Sequence, residues 1–208
     1  MQAIVEEIVR EVVKQIEDRE NTVLIEASGR HVHLNREAVE SLFGEGYQLT
    51  KVRDLSQPGQ YVCKERVTIA GPKGQFSNVV ILGPERDKTQ VEVSLTDARM
   101  MGIHAPVRES GDIEKSAPVT IMYKDKSIVL KEGLIVAKRH IHMTPGDARK
   151  NNVTNGQIVK VKTYTSRPLI FDDVIIRVSD RYSTAMHIDY DEANACGFAS
   201  ENRGKIIL

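Results

Sequence analysis

The chain has 208 residues, 40% of them hydrophobic, and its 29 lysines and arginines balance 29 aspartates and glutamates. That length holds one large core or two small ones, and the charge balance excludes a global field drawing it to nucleic acid or an anionic membrane. No apolar run approaches the roughly 18 residues of a bilayer span. Two cysteines, Cys63 and Cys196, lie far apart and outside any Cys-x-x-Cys pattern, which points to free thiols in a reducing, cytoplasmic compartment.

The first predicted element is an amphipathic helix within residues 1–21. Ile4, Val5, Ile8, Val9, Val12, Val13 and Ile16 recur at helical spacing, with Glu6, Glu7, Arg10, Glu11 and Lys14 elsewhere around the helix. The two glutamates inside the apolar stretch exclude a secretory signal. The stripe needs cover, from the rest of the chain, from a second copy in a homo-oligomer, or from the groove of a partner protein.

From Thr22 onward, alternation predicts strands at Thr22–Ala27, Tyr61–Ile69, Phe76–Leu82, Val91–Leu95, Val119–Tyr123, Ser127–Leu130, Gly133–Ala137, Gln157–Tyr164 and Phe171–Val178. Gly71-Pro-Lys-Gly74 reads as a hairpin loop and Asn155-Gly156 as a tight turn. Short strands between glycine-bearing turns argue for small barrels rather than a βαβ sheet.

The chain then repeats itself. Arg30-His31-Val-His33 and Arg139-His140-Ile-His142 match, and each is followed by a good helix N-cap, Asn35 or Thr144. On a strand, residues two apart share a face, so each histidine pair can grip one ion. A second repeat aligns Arg86 to Ala98 without a gap on Arg181 to Ala193, and sets Glu92 against His187. Both copies continue into a helical turn closed by glycine, Gly102 or Gly197. The inferred sites are His31/His33/Glu92 and His140/His142/His187. Three nitrogen or oxygen ligands without cysteine leave a coordination place open, which suits zinc used as a Lewis acid; nickel, cobalt or iron fit the same ligands. His104 has no counterpart and reads as a loop residue. Arg30 and Arg139 point away from the histidines and read as scaffold ion pairs.

The fold class is therefore mainly β, with two similar small β-barrels from an internal duplication, short helices and the N-terminal amphipathic helix. The domains are residues 1–21 as that helix, 30–137 as the barrel of the first metal site, and 22–29 with 138–208 as the barrel of the second. A simple cut near Glu114 is the competing division.

The ordered motifs Ser28-Gly-Arg-His-Val-His, Gly83-Pro-Glu-Arg86 through Glu92-Val-Ser, Asp97-Ala-Arg, Gly102 to Gly111 and Lys138-Arg-His-Ile-His-Met resemble the phosphate propanoyltransferase family, zinc-dependent phosphotransacylases of propanediol-degrading bacterial microcompartments. The resemblance covers residues from about 22 to the C-terminus. It implies two β-barrels with an interleaved first strand, two Zn2+ per chain, and reversible transfer of an acyl group between coenzyme A and inorganic phosphate.

Attack by phosphate on a thioester crowds two anions together, so concentrated positive charge is needed. Arg86 is the side chain chosen to clamp phosphate, since a guanidinium fork matches phosphate oxygens. The resemblance points to Ser28 and Asn194 as coenzyme A contacts, and to residues 1–20 as a docking segment for shell or core proteins of a microcompartment. No Gly-x-Ser-x-Gly elbow or His-Glu-x-x-His helix occurs, so direct displacement is expected. The competing readings are a metal-dependent thioester or phosphoester hydrolase and a non-catalytic, zinc-stabilised binding module.

Overall fold

The structure is a computed structural model and describes residues 4, 5, 7 and 22–208. Apart from three positions, the helix read within residues 1–21 lies outside the described residues. In chain order the elements are β1 (Thr22–Ser28), β2 (His31–His33), α1 (Arg36–Phe43), β3 (Lys51–Asp54), β4 (Tyr61–Ala70), β5 (Gln75–Gly83), β6 (Gln90–Glu92), α2 (Leu95–Met101), β7 (Val107–Arg108), β8 (Ala117–Tyr123), β9 (Lys126–Ala137), β10 (His140–Met143), α3 (Pro145–Lys150), β11 (Ile158–Tyr164), β12 (Ile170–Val178), β13 (Ala185–Asp189), α4 (Tyr190–Cys196) and β14 (Arg203–Ile207). The fold is mainly β, as the alternation predicted. Among the described residues no helix is long and apolar enough to cross a membrane.

Two compact units result. One takes the described residues up to Glu26, Arg139–His187 and Ala193–Leu208; the other takes Ala27–Lys138 and Ile188–Glu192. The first unit holds a closed barrel in the order β1-β13-β10-β12-β11-β14, sealed where β1 pairs antiparallel with β14, Thr22 opposite Lys205. Strict alternation along β11 sends Val159, Val161 and Thr163 inward and Ile158, Lys160, Lys162 and Tyr164 outward. Inside, Ile141, Met143, Val161, Val174, Ile176 and Met186 are buried.

In the second unit the ring runs β4-β5-β2-β6-β9-β8 and closes because β8 pairs with both β9 and β4; β3 extends from β4 and β7 from β9. Its core includes Val32, Leu34, Ile69, Ile81, Ile121 and Leu134. Asp191 belongs to this unit and accepts from Ser94 Oγ at 3.1 Å and from the Thr96 amide at 2.8 Å, at the start of α2.

The duplication reaches further than the histidine phrases. In each unit the histidine strand runs parallel to one neighbour and antiparallel to the other: β2 with β5 and β6, β10 with β12 and β13. Each parallel neighbour carries a left-handed residue two positions after a phenylalanine, Asn78 after Phe76 (φ 58°) and Asp173 after Phe171 (φ 54°). Asn and Asp tolerate that conformation better than other L-residues. Each phenylalanine lies under the arginine that precedes the histidine pair, Arg30 over Phe76 at 4.1 Å and Arg139 over Phe171 at 5.5 Å. Arg30 also donates twice to Asp97, at 3.0 and 2.7 Å, the ion pair its position suggested.

Three differences from the sequence reading have physical causes. Ser127–Leu130 and Gly133–Ala137 are one strand, β9, because Gly133 adopts φ 139° and lets the chain continue where Thr89 O and Leu130 would press on a Cβ. The strand read at Val91–Leu95 ends at Glu92, since Ser94 caps α2 by accepting from the Asp97 amide. Strand β3 was not predicted: its four residues are all exposed and show no alternation.

Candidate metal centres

Each histidine strand ends against a capped helix. Asn35 Oδ1 accepts from the Ala38 amide at 2.9 Å and Thr144 Oγ1 from the Asp147 amide at 3.1 Å; such a cap contributes about 1 kcal/mol and fixes where the strand stops.

In the first group, antiparallel pairing sets His31 directly opposite Glu92 and His33 opposite Gln90. The His31 and His33 rings meet edge to face with centroids 5.0 Å apart. His31 Nε2 lies 3.5 Å from Glu92 Oε2, and His33 Nε2 lies 3.9 Å from Glu92 Oε1. All three residues are buried. His31 Nδ1 sits 2.9 Å from Gly29 O, a contact that orients the ring with Nε2 toward Glu92.

The second group has the same plan: His140 stands opposite His187, and His142 opposite Ala185. The three rings pack with centroids 4.6 to 5.1 Å apart. Glu26 Oε2 lies 3.6 Å from His187 Nδ1, and a carboxylate beside a metal-ligating imidazole commonly orients it. Tyr182 packs on His142 at 4.1 Å between centroids.

Electrostatics keep these donors available. Burial, then the charges of His31 and Arg86, push His33 well below its ordinary pKa. Burial, then His140 and His187, push His142 down to about 2. Burial works to raise Glu92, yet the charge and hydrogen bond of His31, the charge of His33 and the Ser110 hydroxyl outweigh it and hold Glu92 well below the usual carboxylate range. His31 moves the other way: burial lowers it, but Glu92 and the Gly29 carbonyl leave it raised.

These residues fit a divalent cation. In each group one donor atom per residue lies within 4.8 Å of the others. In each group the second histidine, His33 or His142, has a buried Nδ1 without a hydrogen-bond partner among the described residues.

Arg86 belongs to the first group's surroundings. Its Nη1 donates to Ser110 Oγ at 3.1 Å, and its charge reaches both His31 and His33. Ser110 donates onward to Glu92 Oε1 at 2.6 Å, and Gln90 Nε2 donates to the same oxygen and to Ser110. Ser110 and Gln90 went unread in the sequence. Gln90 carried a signal, two residues before Glu92 on one strand face; Ser110 carried only its place in the Gly102 to Gly111 segment. Ser28 ends β1 exposed, and Asn194 is exposed on α4. His104 is an exposed loop residue, and Arg181 is exposed beyond β12.

Duplicated β-barrels bearing two cysteine-free donor groups define a class of protein with two places that could hold a metal ion. A sequence model of the family described as phosphate propanoyltransferase matches residues 24–199. Proteins named phosphate propanoyltransferase are 65% identical in Enterococcus faecalis over 202 residues (97% of this chain, 96% of that one), 58% in Clostridioides difficile over 207 (100% and 99%) and 50% in Thermotoga maritima over 200 (96% and 93%). The chain belongs to the phosphate propanoyltransferase family and is an enzyme, an acyltransferase of the phosphotransacylase type.

Proposed function

We propose that the enzyme moves a short acyl group, propanoyl, reversibly between coenzyme A and inorganic phosphate, with His31, His33 and Glu92 holding one Zn2+ and His140, His142 and His187 a second. The observation that carries this reading is the register: Glu92 faces His31 where His187 faces His140, in a member of a family whose relatives bear that activity's name. Divalent ions bound there would supply Lewis-acid polarisation and fixed positive charge for two anions that must meet.

The chain's own residues do the remainder. In the forward direction a phosphate oxygen attacks the thioester carbonyl carbon, the carbon–sulfur bond breaks, and the sulfur leaves as thiolate to take a proton from solvent. Arg86, anchored by Ser110, offers its guanidinium to phosphate oxygens and balances the charge that builds on the carbonyl oxygen. Ser110 and Gln90 hold Glu92 ionised and oriented. Ser28 and Asn194 are assigned to coenzyme A. With no serine elbow or accessible thiol in the sequence motifs, the transfer is a direct displacement. Residues 1–20 form the docking segment for microcompartment proteins; the enzyme works in the cytoplasm as a homo-oligomer. The domains are 30–137, and 22–29 with 138–208.

The test is thiol release from propanoyl coenzyme A with and without phosphate. Release that requires phosphate and yields propanoyl phosphate supports the reading, whereas release independent of phosphate makes the protein a hydrolase.

A further inference from the structure

We propose that Gln90 is a positioning residue that fixes which oxygen of Glu92 faces His31. This rests on reading His31, His33 and Glu92 as a metal site. Gln90 is 2% exposed and, two residues before Glu92 on β6, shares its face of the strand. Its amide orientation is set from outside the site: Oε1 accepts the Gly111 N–H at 2.8 Å. That turns Nε2 inward, 2.5 Å from Glu92 Oε1 and 3.0 Å from Ser110 Oγ. Ser110 has one hydroxyl proton, and with Arg86 and Gln90 both donating to it, that proton goes to Glu92 Oε1 at 2.6 Å.

Glu92 Oε1 therefore takes two donors, and Oε2 is the oxygen left 3.5 Å from His31 Nε2. The last torsion of a glutamate is soft and two-fold, so an unsupported carboxylate would present either oxygen. The second group needs no such device. Where Gln90 stands opposite His33, Ala185 stands opposite His142, and an imidazole at His187 has no pair of equivalent oxygens to sort. The amide accompanies the carboxylate.

Zinc affinity of each group can be read separately on the full chain by chelator competition, the first in a His187→Ala background and the second in a Glu92→Ala background. Gln90→Met keeps the length of the side chain without either end of the amide, and Gln90→Leu removes the same two groups with a shorter, branched side chain. Both are expected to weaken zinc at the first group roughly 10- to 100-fold while the second stays unchanged, and hydrogen exchange at the Gly111 amide should quicken. Equal loss at both groups would mark general destabilisation and overturn the proposal, as would unchanged affinity at the first. If Glu92→Ala alone leaves the zinc count of the parent enzyme intact, the metal reading itself falls and this role with it; if Glu92→Ala removes one zinc and the Gln90 variants remove no affinity, only the positioning role falls.

Discussion

His140 faces His187 across β10 and β13 with rings stacked at 22° and centroids 5.1 Å apart. Ligand atoms of His140, His142 and His187 lie within 4.8 Å of one another, close enough for one cation to take all three. Metal content per chain should therefore be two equivalents in the parent enzyme and one in either His187→Ala or Glu92→Ala. Elemental analysis after gel filtration measures it, and an unchanged count in both variants would remove the ligand assignment.

Arg86 and Ser110 should separate by size of effect. Arg86→Ala is expected to lower kcat/KM for phosphate by roughly 10²- to 10³-fold, the range for losing a charged transition-state donor. Ser110→Ala removes a hydrogen bond at each end and leaves both charges, so a smaller loss, about tenfold, is expected. Initial rates at varied phosphate concentration test both; Ser110→Ala falling further than Arg86→Ala would mean that Ser110, not Arg86, is the group acting on substrate.

Metal binding at the first group should depend on pH through His31. Its pKa in the metal-free protein is raised above the ordinary value of 6.5, and only the neutral ring can bind a cation. Zinc affinity in a His187→Ala background should rise with pH across that raised value and then level off. The stability of the metal-free protein runs in the opposite sense. What His31 contributes is fully present below the unfolded-state value and is lost as pH climbs through the folded one. His142, held near 2, has no proton to give up on binding. Calorimetric titrations in buffers of differing ionisation heat count the protons released.

Both cysteines are buried and free, and burial pushes the Cys63 thiol up to about 11. Alkylation by iodoacetamide at pH 8 should be slow in the native protein and modify both thiols only after denaturant. Rapid labelling of Cys63 under native conditions would contradict its burial.

Much of the architecture was legible because the duplication supplies its own control. One His-x-His pair is ambiguous, but His31/His33 and His140/His142 with matching arginines and caps are not, and gapless alignment brought Glu92 and His187 into place before any fold was known. What could not be read were contacts between segments that share no periodicity. Ser110 reaches Glu92 from a loop, and Asp191 caps a helix far from it in sequence. β3 pairs with β4 by backbone alone, with four exposed side chains that leave no pattern, and β14 went unread although it seals a barrel.

That seal has a consequence for biosynthesis. In the first unit the barrel closes between β1 and β14, where Arg203 donates to Thr22 across a sequence separation of 181 residues. The strands of the other ring all lie between His31 and Ala137. On a ribosome the second unit's ring is complete while β1 still waits, edge unpaired, for β14 to emerge. Synthesis order thus gives β1 the longest exposure of any described strand, and makes closure of its barrel the late event in folding.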